Sequence, residues 1–393
     1  MRYDNREIGT FFSLVRAGLF PVHGEGSMDH GSSQDVDWED VYRLAEEQSV
    51  IGLVASGIEA IQGEWLKVNG SPMVLQAVAL QFIGQTLQIE QRNKAMNAFV
   101  AELIDGLRKA DVYTLVVKGQ GIAQCYEKPL WRSCGDVDLL LSKDNYDKAK
   151  AFLQSKANHI DAEDERRQHL GMTIDGWIVE LHGTLLTGIS NRLNKVISQV
   201  QDAIFLSGEV RSWMVHGERL MVDGSSRDVQ VFLPSPDNDV FLVFSHILEH
   251  FYVGGIGLRQ ICDWCRLLWT YRESLNHGLL ESRLHEAGIM TEWKGFAAFA
   301  VDNLGMPFGA MPFYENKQKW HKKADRLCTM ILETGNFGHN KDESYRGRTS
   351  KIKELMITFG RRVAEYWKLM RIFPTQVPGI FVTYVTGRVK ANV

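Results

Sequence analysis

The residue pattern implies an α+β fold, with a small mixed β-sheet in the middle of the chain flanked by N-terminal and C-terminal helical regions. Apolar residues between positions 75 and 107 recur at helical spacing. Short β-branched runs and an Asp-Gly turn occupy about 111 to 190, and helical spacing returns after Leu233. A chain of 393 residues has room for two or three domains at roughly 100 to 200 residues each. The divisions drawn from these patterns are 1–110, 111–230 and 231–393.

In the first region Leu75, Val78, Phe82, Ile89, Met96, Phe99, Leu103 and Leu107 line one helix face, with Glu90, Arg92 and Lys94 mostly elsewhere. Ser71-Pro72 suits the N-cap and first residue of that helix. Tyr113 to Val117 reads as a strand closed by Lys118-Gly119, and Gly121 to Tyr126 as a brief helix. Val137 to Leu141 reads as a second strand, and Tyr146, Ala149, Phe152 and Leu153 then give a helix. Met172 to Ile174 and Trp177 to His182 flank Asp175-Gly176, the favoured pair for a two-residue hairpin turn. Pro234 and Pro236 read as a linker. Helical spacing follows at Val240, Phe244, Ile247, Leu248 and Phe251, and again at Ile261, Trp264, Cys265, Leu268 and Trp269.

Hydrophobic residues at 45% and charged residues at 23% describe a globular chain and exclude a fibrous or disordered one. Forty-four basic against 48 acidic residues leave a net charge of −4, so no overall basic field draws in nucleic acid, and a polyanion needs a local patch. Lys351, Lys353, Arg361, Arg362, Lys368, Arg371, Arg388 and Lys390 make the C-terminal stretch locally basic, either as a solvated helix face or as a contact for an acceptor or RNA. Five cysteines are sparse and odd in number, which points to reduced thiols. Arg16 interrupts the apolar stretch Phe11 to Val15, and no apolar run approaches the ~18 residues of a membrane helix. A cytoplasmic protein without a membrane segment is expected.

The chemistry concentrates in Lys118-Gly119 and in Arg132-Ser133-Cys134-Gly135-Asp136-Val137-Asp138. On a strand, Asp136 and Asp138 share a face about 6.6 to 6.8 Å apart along the chain. Two carboxylates at that distance repel by about 2 to 3 kcal/mol at an effective dielectric near 20. A divalent cation between them reverses the sign, and hard oxygen ligands on a strand suit Mg²⁺ or Mn²⁺. Glu180 interrupts the apolar strand 177–182 and joins the two acids if that strand lies beside theirs. It serves either as the third ligand or as a general base toward an acceptor.

Lys118-Gly119, Arg132, Gly135-Asp136-Val137-Asp138-Leu139-Leu140 and Glu180-Leu181-His182 together resemble the bacterial nucleotidyltransferases related to DNA polymerase β. The later stretch 233–236, His246, His250 and Gly257 to Asp263 is similar to that family's helical C-terminal part. The likeness covers about residues 111 to 270. It implies a nucleotidyltransferase palm with Asp136, Asp138 and Glu180 as the metal-binding acids. It also implies a nucleoside triphosphate donor and an acceptor that is a small molecule, an RNA end or a protein. Lys118-Gly119-Gln120-Gly121 stands where the wider superfamily opens its short helix with a Gly-Gly or Gly-Ser pair. Lys118, Gly119, Gly135 and Arg132 are the phosphate-side candidates, with Arg132 alternatively pairing with an aspartate. His182, His246 and His250 are accessory candidates.

Two other classes compete. A degenerate member of the same fold would bind nucleotide or RNA without turnover. His246-Ile247-Leu248-Glu249-His250 also spells an inverted zinc-peptidase motif, with Glu249 as base and Glu315 or Glu333 as third ligand. The single pair Cys262 and Cys265 lies on an apolar helical stretch and reads as core packing.

Overall fold

A computed structural model describes residues 3–21, 36–61, 76–216, 228–336 and 351–385. Its centre is one seven-stranded sheet. The strands are β1 (Thr114–Val117), β2 (Asp136–Leu141), β3 (His159–Ile160), β4 (His169–Ile174), β5 (Trp177–His182), β6 (Val210–His216) and β7 (Asp228–Pro234). They lie in the order β3-β4-β5-β2-β1-β7-β6. β2 runs antiparallel to β1 and parallel to β5, and β1 runs parallel to β7, so the sheet is mixed. Asp175 at φ 50° and Gly176 at φ 81° close the hairpin between β4 and β5, as the Asp-Gly pair requires.

Fourteen α-helices surround the sheet among the described residues. In chain order they are α1 (Asn5–Leu19), α2 (Trp38–Glu47), α3 (Ile51–Ile61), α4 (Gln76–Lys109), α5 (Gly119–Ala123), α6 (Lys143–Gln154) and α7 (Asn191–Leu206). After the sheet come α8 (Pro236–Val253), α9 (Leu258–Tyr271), α10 (His277–Ala287), α11 (Met290–Leu304), α12 (Gln318–Thr334), α13 (Lys351–Ile372) and α14 (Val377–Val385). None of the described helices is long and apolar enough to cross a membrane. The anticipated Ser71-Pro72 cap and Leu75 lie outside the described residues, as do Arg388 and Lys390.

Strand alternation sorts the sheet into two packed faces. Val116, Val137, Leu139, Leu141, Val179 and Leu181 pack in one cluster with Met96, Val100, Leu103 and Leu107 of α4 and Tyr146, Ala149 and Leu153 of α6. Leu115, Val117 and Leu140 join the larger cluster built by α7, α8, α9 and the outer helices. Because Val137 and Leu139 face α4, Asp136 and Asp138 face the opposite way, toward the large helical core.

Packing and pairing cross the divisions drawn at 110 and 230. α1 and α3 cross closely because Gly18 and Gly57 lack side chains: a Cβ on Gly57 would stand 1.9 Å from Leu14 O, and one on Gly18 would stand 2.2 Å from Leu53 O. Arg16 then donates to the carbonyls of Asp302 and Asn303 at the end of α11, and Phe12 meets Phe299 edge-on. The N-terminal helices therefore share a core with the C-terminal ones, while α4 covers the sheet. The boundary at 230 falls inside β7. The proline pair is a strand-to-helix junction, with Pro234 ending β7 and Pro236 in the first turn of α8.

Candidate active site

The parallel pairing of β2 and β5 sets Asp138 directly opposite Glu180 and Asp136 opposite Ile178. Residues paired in this way point to the same side, so the three acids occupy one face of two adjacent strands. β1 supplies the third edge. Val117 pairs with Asp138, and the next residue, Lys118, reaches back so that Nζ lies 2.8 Å from Asp138 Oδ1. His182, two residues beyond Glu180 on the same face, brings Nε2 to 2.8 Å from Asp138 Oδ1 and 3.4 Å from Glu180 Oε2. His169, paired across the hairpin with His182, brings its own Nε2 to 3.2 Å from Glu180 Oε2. The two imidazoles stack with centroids 4.7 Å apart. His169 was not among the residues picked from the sequence.

The charges are strongly coupled. Asp136 is pushed up to about 6, first by the neighbouring Asp138, then by burial and by Glu180. Burial also acts to raise Asp138, but Lys118 and the bond from His182 outweigh it and hold that carboxyl below its ordinary range. Glu180 behaves alike: burial opposes its ionisation, and the hydrogen bonds from His169 and His182 overcome it, leaving Glu180 well below the usual carboxylate range. Burial works against protonation of Lys118 and His182, yet the acids beside them raise both. Lys118 also sits in a rarely populated backbone conformation, φ 57° and ψ −141°, at the junction of β1 and α5. For a lysine that costs on the order of 1 to 3 kcal/mol, and such outliers cluster at functional sites.

The other candidates separate. Gly119 has φ +28° and lies over Asp136, where a Cβ would be 3.4 Å from the Asp136 carbonyl. Gly135 faces open space, so no steric reason for glycine exists there. Arg132 is committed elsewhere: Nε and Nη2 grip both oxygens of Asp263 on α9 at 3.0 and 2.6 Å, and Tyr126 also donates to Asp263. Of the two roles open to it, the structure shows the aspartate pair, which ties the loop before β2 to α9. Arg259, one turn earlier on α9 and not singled out from the sequence, has a different environment. Its Nη1 donates to Ser133 O at 2.7 Å, its Nε has no partner, and its charge acts on Asp136. Arg259 lines a cleft with Lys128, Trp131 and Ser49 that opens beside the loop leading into β2.

His246 and His250 lie one helical turn apart on α8, their Nε2 atoms 3.0 Å apart. Burial foremost, then the nearby Lys118, lowers both, His250 to about 4, so they stand neutral beside the acids. The zinc-peptidase reading is corrected here. Glu249 is paired with Arg167 at 2.9 Å, Glu315 is held by Lys294, Lys317 and Trp320, and Glu333 by Lys368. No three-residue metal-ligating group among the described residues contains His246 or His250. Cys262 and Cys265 are wholly buried, and burial raises both thiols, which makes them core residues.

Among the described residues, the metal-ligating group whose ligand atoms all lie within 4.8 Å of one another is His169, Glu180 and His182, without Asp136 or Asp138. Asp136 is driven toward protonation by the carboxylates around it, and a cation among them would remove that penalty. A family model described as an uncharacterised nucleotidyltransferase matches residues 34–304, from just before α2 to the end of α11, including the whole sheet and both acid-bearing strands. No curated protein and no solved structure matches the chain. On that match, which spans well over half of its length, the chain belongs to this family of nucleotidyltransferases.

Proposed function

We propose that this chain moves a nucleotidyl group from a nucleoside triphosphate to an acceptor hydroxyl, with Mg²⁺ or Mn²⁺ held by Asp136, Asp138 and Glu180. The observation that carries the reading is the register of Asp138 against Glu180, which sets three acids on one face beside a half-buried lysine. Divalent cations bound there would hold the triphosphate oxygens and offset the charge gathering on the leaving pyrophosphate. Glu180, kept ionised by His169 and His182, is a weak base and a good ligand, so it serves in ligation rather than proton abstraction. His182 fixes Asp138 as a carboxylate and sets its orientation. Lys118 is a point charge on the triphosphate side, and Arg259 takes the phosphate role first considered for Arg132.

The test is transfer of label from α-labelled triphosphates to a panel of small-molecule, RNA and protein acceptors, with Mg²⁺ or Mn²⁺. Asp136→Asn and Asp138→Asn are expected to abolish transfer while circular dichroism stays native. Transfer surviving both substitutions would remove the site. A second reading, a module that binds nucleotide without turnover, draws on one observation: Lys118 and His182 already neutralise Asp138. It predicts a rise in melting temperature with a triphosphate, insensitive to divalent ions and unaccompanied by transfer.

A further inference from the structure

We infer that His169, Glu180 and His182 form a binding site for a first-row transition ion of the Zn²⁺ class, separate in ligand chemistry from the Asp136/Asp138 pair. His169 Nε2 and His182 Nε2 lie 3.2 and 3.4 Å from one and the same oxygen, Glu180 Oε2, and all three ligand atoms lie within 4.8 Å of one another. A tetrahedral ion with bonds of about 2.0 to 2.1 Å has ligand–ligand edges of about 3.3 to 3.4 Å. Two of the three edges therefore already have the length such an ion would impose. As hydrogen bonds, these contacts need one proton from His169 to Glu180 and one from His182 to Asp138. His182 Nε2 also lies 2.8 Å from Asp138 Oδ1, so ligation would exchange that hydrogen bond for the ion.

The backbone prepares this arrangement. The Asp175-Gly176 turn fixes the hairpin register, which places His169 across from His182 and Gly171 across from Glu180. With no side chain at 171, the space beside Glu180 is left to the carboxylate of Asp161, whose Oδ2 lies 2.3 Å from where a Cβ would stand. His169 and Glu180 are partly accessible, with side-chain exposures of 33% and 28%, while His182 is buried behind them, so an ion would enter from the His169 and Glu180 side. Two imidazoles and one carboxylate favour Zn²⁺, Co²⁺ or Fe²⁺ over Mg²⁺, which prefers oxygen donors and retained waters. Glu180 is shared with the proposed transfer site, so the inference rests on that reading only in where the ion sits. A resident Zn-class ion on β4 and β5 would leave Asp136 and Asp138 for the ion that arrives with the triphosphate.

The experiment is a Co²⁺ titration of the chelator-stripped full-length chain, followed by visible d–d absorption and repeated in a large excess of Mg²⁺. One Co²⁺ per chain is expected, with the intense bands of low-coordinate, nitrogen-ligated cobalt, and Mg²⁺ should not displace it. His169→Ala and His182→Ala should each weaken Co²⁺ by at least tenfold, and Asp136→Asn should leave it bound. His169→Gln, which keeps a donor toward Glu180 and so guards against loss of fold, should weaken Co²⁺ as His169→Ala does. Displacement by Mg²⁺, unchanged Co²⁺ binding in His169→Gln, or equal loss in Asp136→Asn would overturn the inference. Because absorption and not turnover is read, failure of nucleotidyl transfer in the unmodified chain would leave this result standing. Transfer without histidine-dependent cobalt would sink only the present inference.

Discussion

Asp136→Asn should make the metal-free protein more stable, and the size of the gain follows from the crowding of acids on β2 and β5. The Asp136 carboxyl is held at about 6 against an ordinary value of 3.8, with Asp138 the main cause. Above pH 6 the side chain is charged in both the folded and the unfolded chain, so the folded form carries the whole penalty. Below 3.8 it is neutral in both and the penalty is gone. Between those limits the folded chain holds more protons than the unfolded one, and stability falls as pH rises. The difference corresponds to about 3 kcal/mol at most, and solvent around the half-buried carboxyl brings the expected gain to on the order of 1 to 3 kcal/mol. Urea unfolding in a chelating buffer at pH 8 and again near pH 4 measures it. The variant should lead at pH 8 and draw level with the parent at the lower pH. Addition of Mg²⁺ at pH 8 should narrow the lead, because the parent alone keeps the full ligand set. A variant less stable at pH 8, or a lead independent of pH, would refute the crowding of acids on which the functional reading depends.

Other outcomes follow from the same geometry. Lys118→Met strips a buried carboxylate of its cation and should cost about 3 kcal/mol in urea unfolding, but under about 1 kcal/mol when Asp138→Asn is already present. Additive losses would dissolve the pair. Arg132→Leu breaks a bidentate pair whose side chains are 8% and 4% exposed, so it should cost about 3 to 5 kcal/mol. Arg259→Ala removes the bond to Ser133 O and should cost only about 1 kcal/mol, but it should abolish the thermal shift given by a triphosphate. The reverse pattern between those two arginines would return the phosphate role to Arg132. Gly57→Ala forces a methyl group into the Leu14 carbonyl and should cost about 2 to 3 kcal/mol despite alanine's better helix propensity, as a melting curve will show.

What was legible in the sequence and what was not divide along a physical line. Alternation is local, so β2, the hairpin of β4 and β5, and the shared face of Asp136 and Asp138 could be read from side-chain period alone. The same period is present in Val229, Val231 and Leu233, all buried, next to the Pro234 and Pro236 pair that reads as a linker. A proline ending a strand and another opening a helix satisfy the same backbone constraints as a linker, and only the pairing of β7 with β1 tells them apart. His169 was within reach: a two-residue turn at 175 and 176 makes Ile174 face Trp177, and counting outward along both strands sets His169 against His182. Starting the first strand at Met172 stopped that count three residues short.

Asp263 and Arg259 were beyond reach by any such count. Whether Arg132 meets a phosphate or an aspartate is decided by α9, about 130 residues away, and no local pattern carries that information. The consequence reaches the chemistry. Because Asp263 absorbs Arg132, the cleft beside β2 keeps Arg259 as its less-partnered guanidinium, and the acid face keeps Lys118 as its half-buried ammonium. On the proposed reading the helical regions flanking the sheet contribute to the site: α9 pairs Arg132 and leaves Arg259 less partnered, and α8 sets two neutral histidines where Glu180 acts on both and Asp138 on His250. Substrate choice in this chain is therefore expected to respond to substitutions on α8 and α9 that leave the acids of β2 and β5 in place.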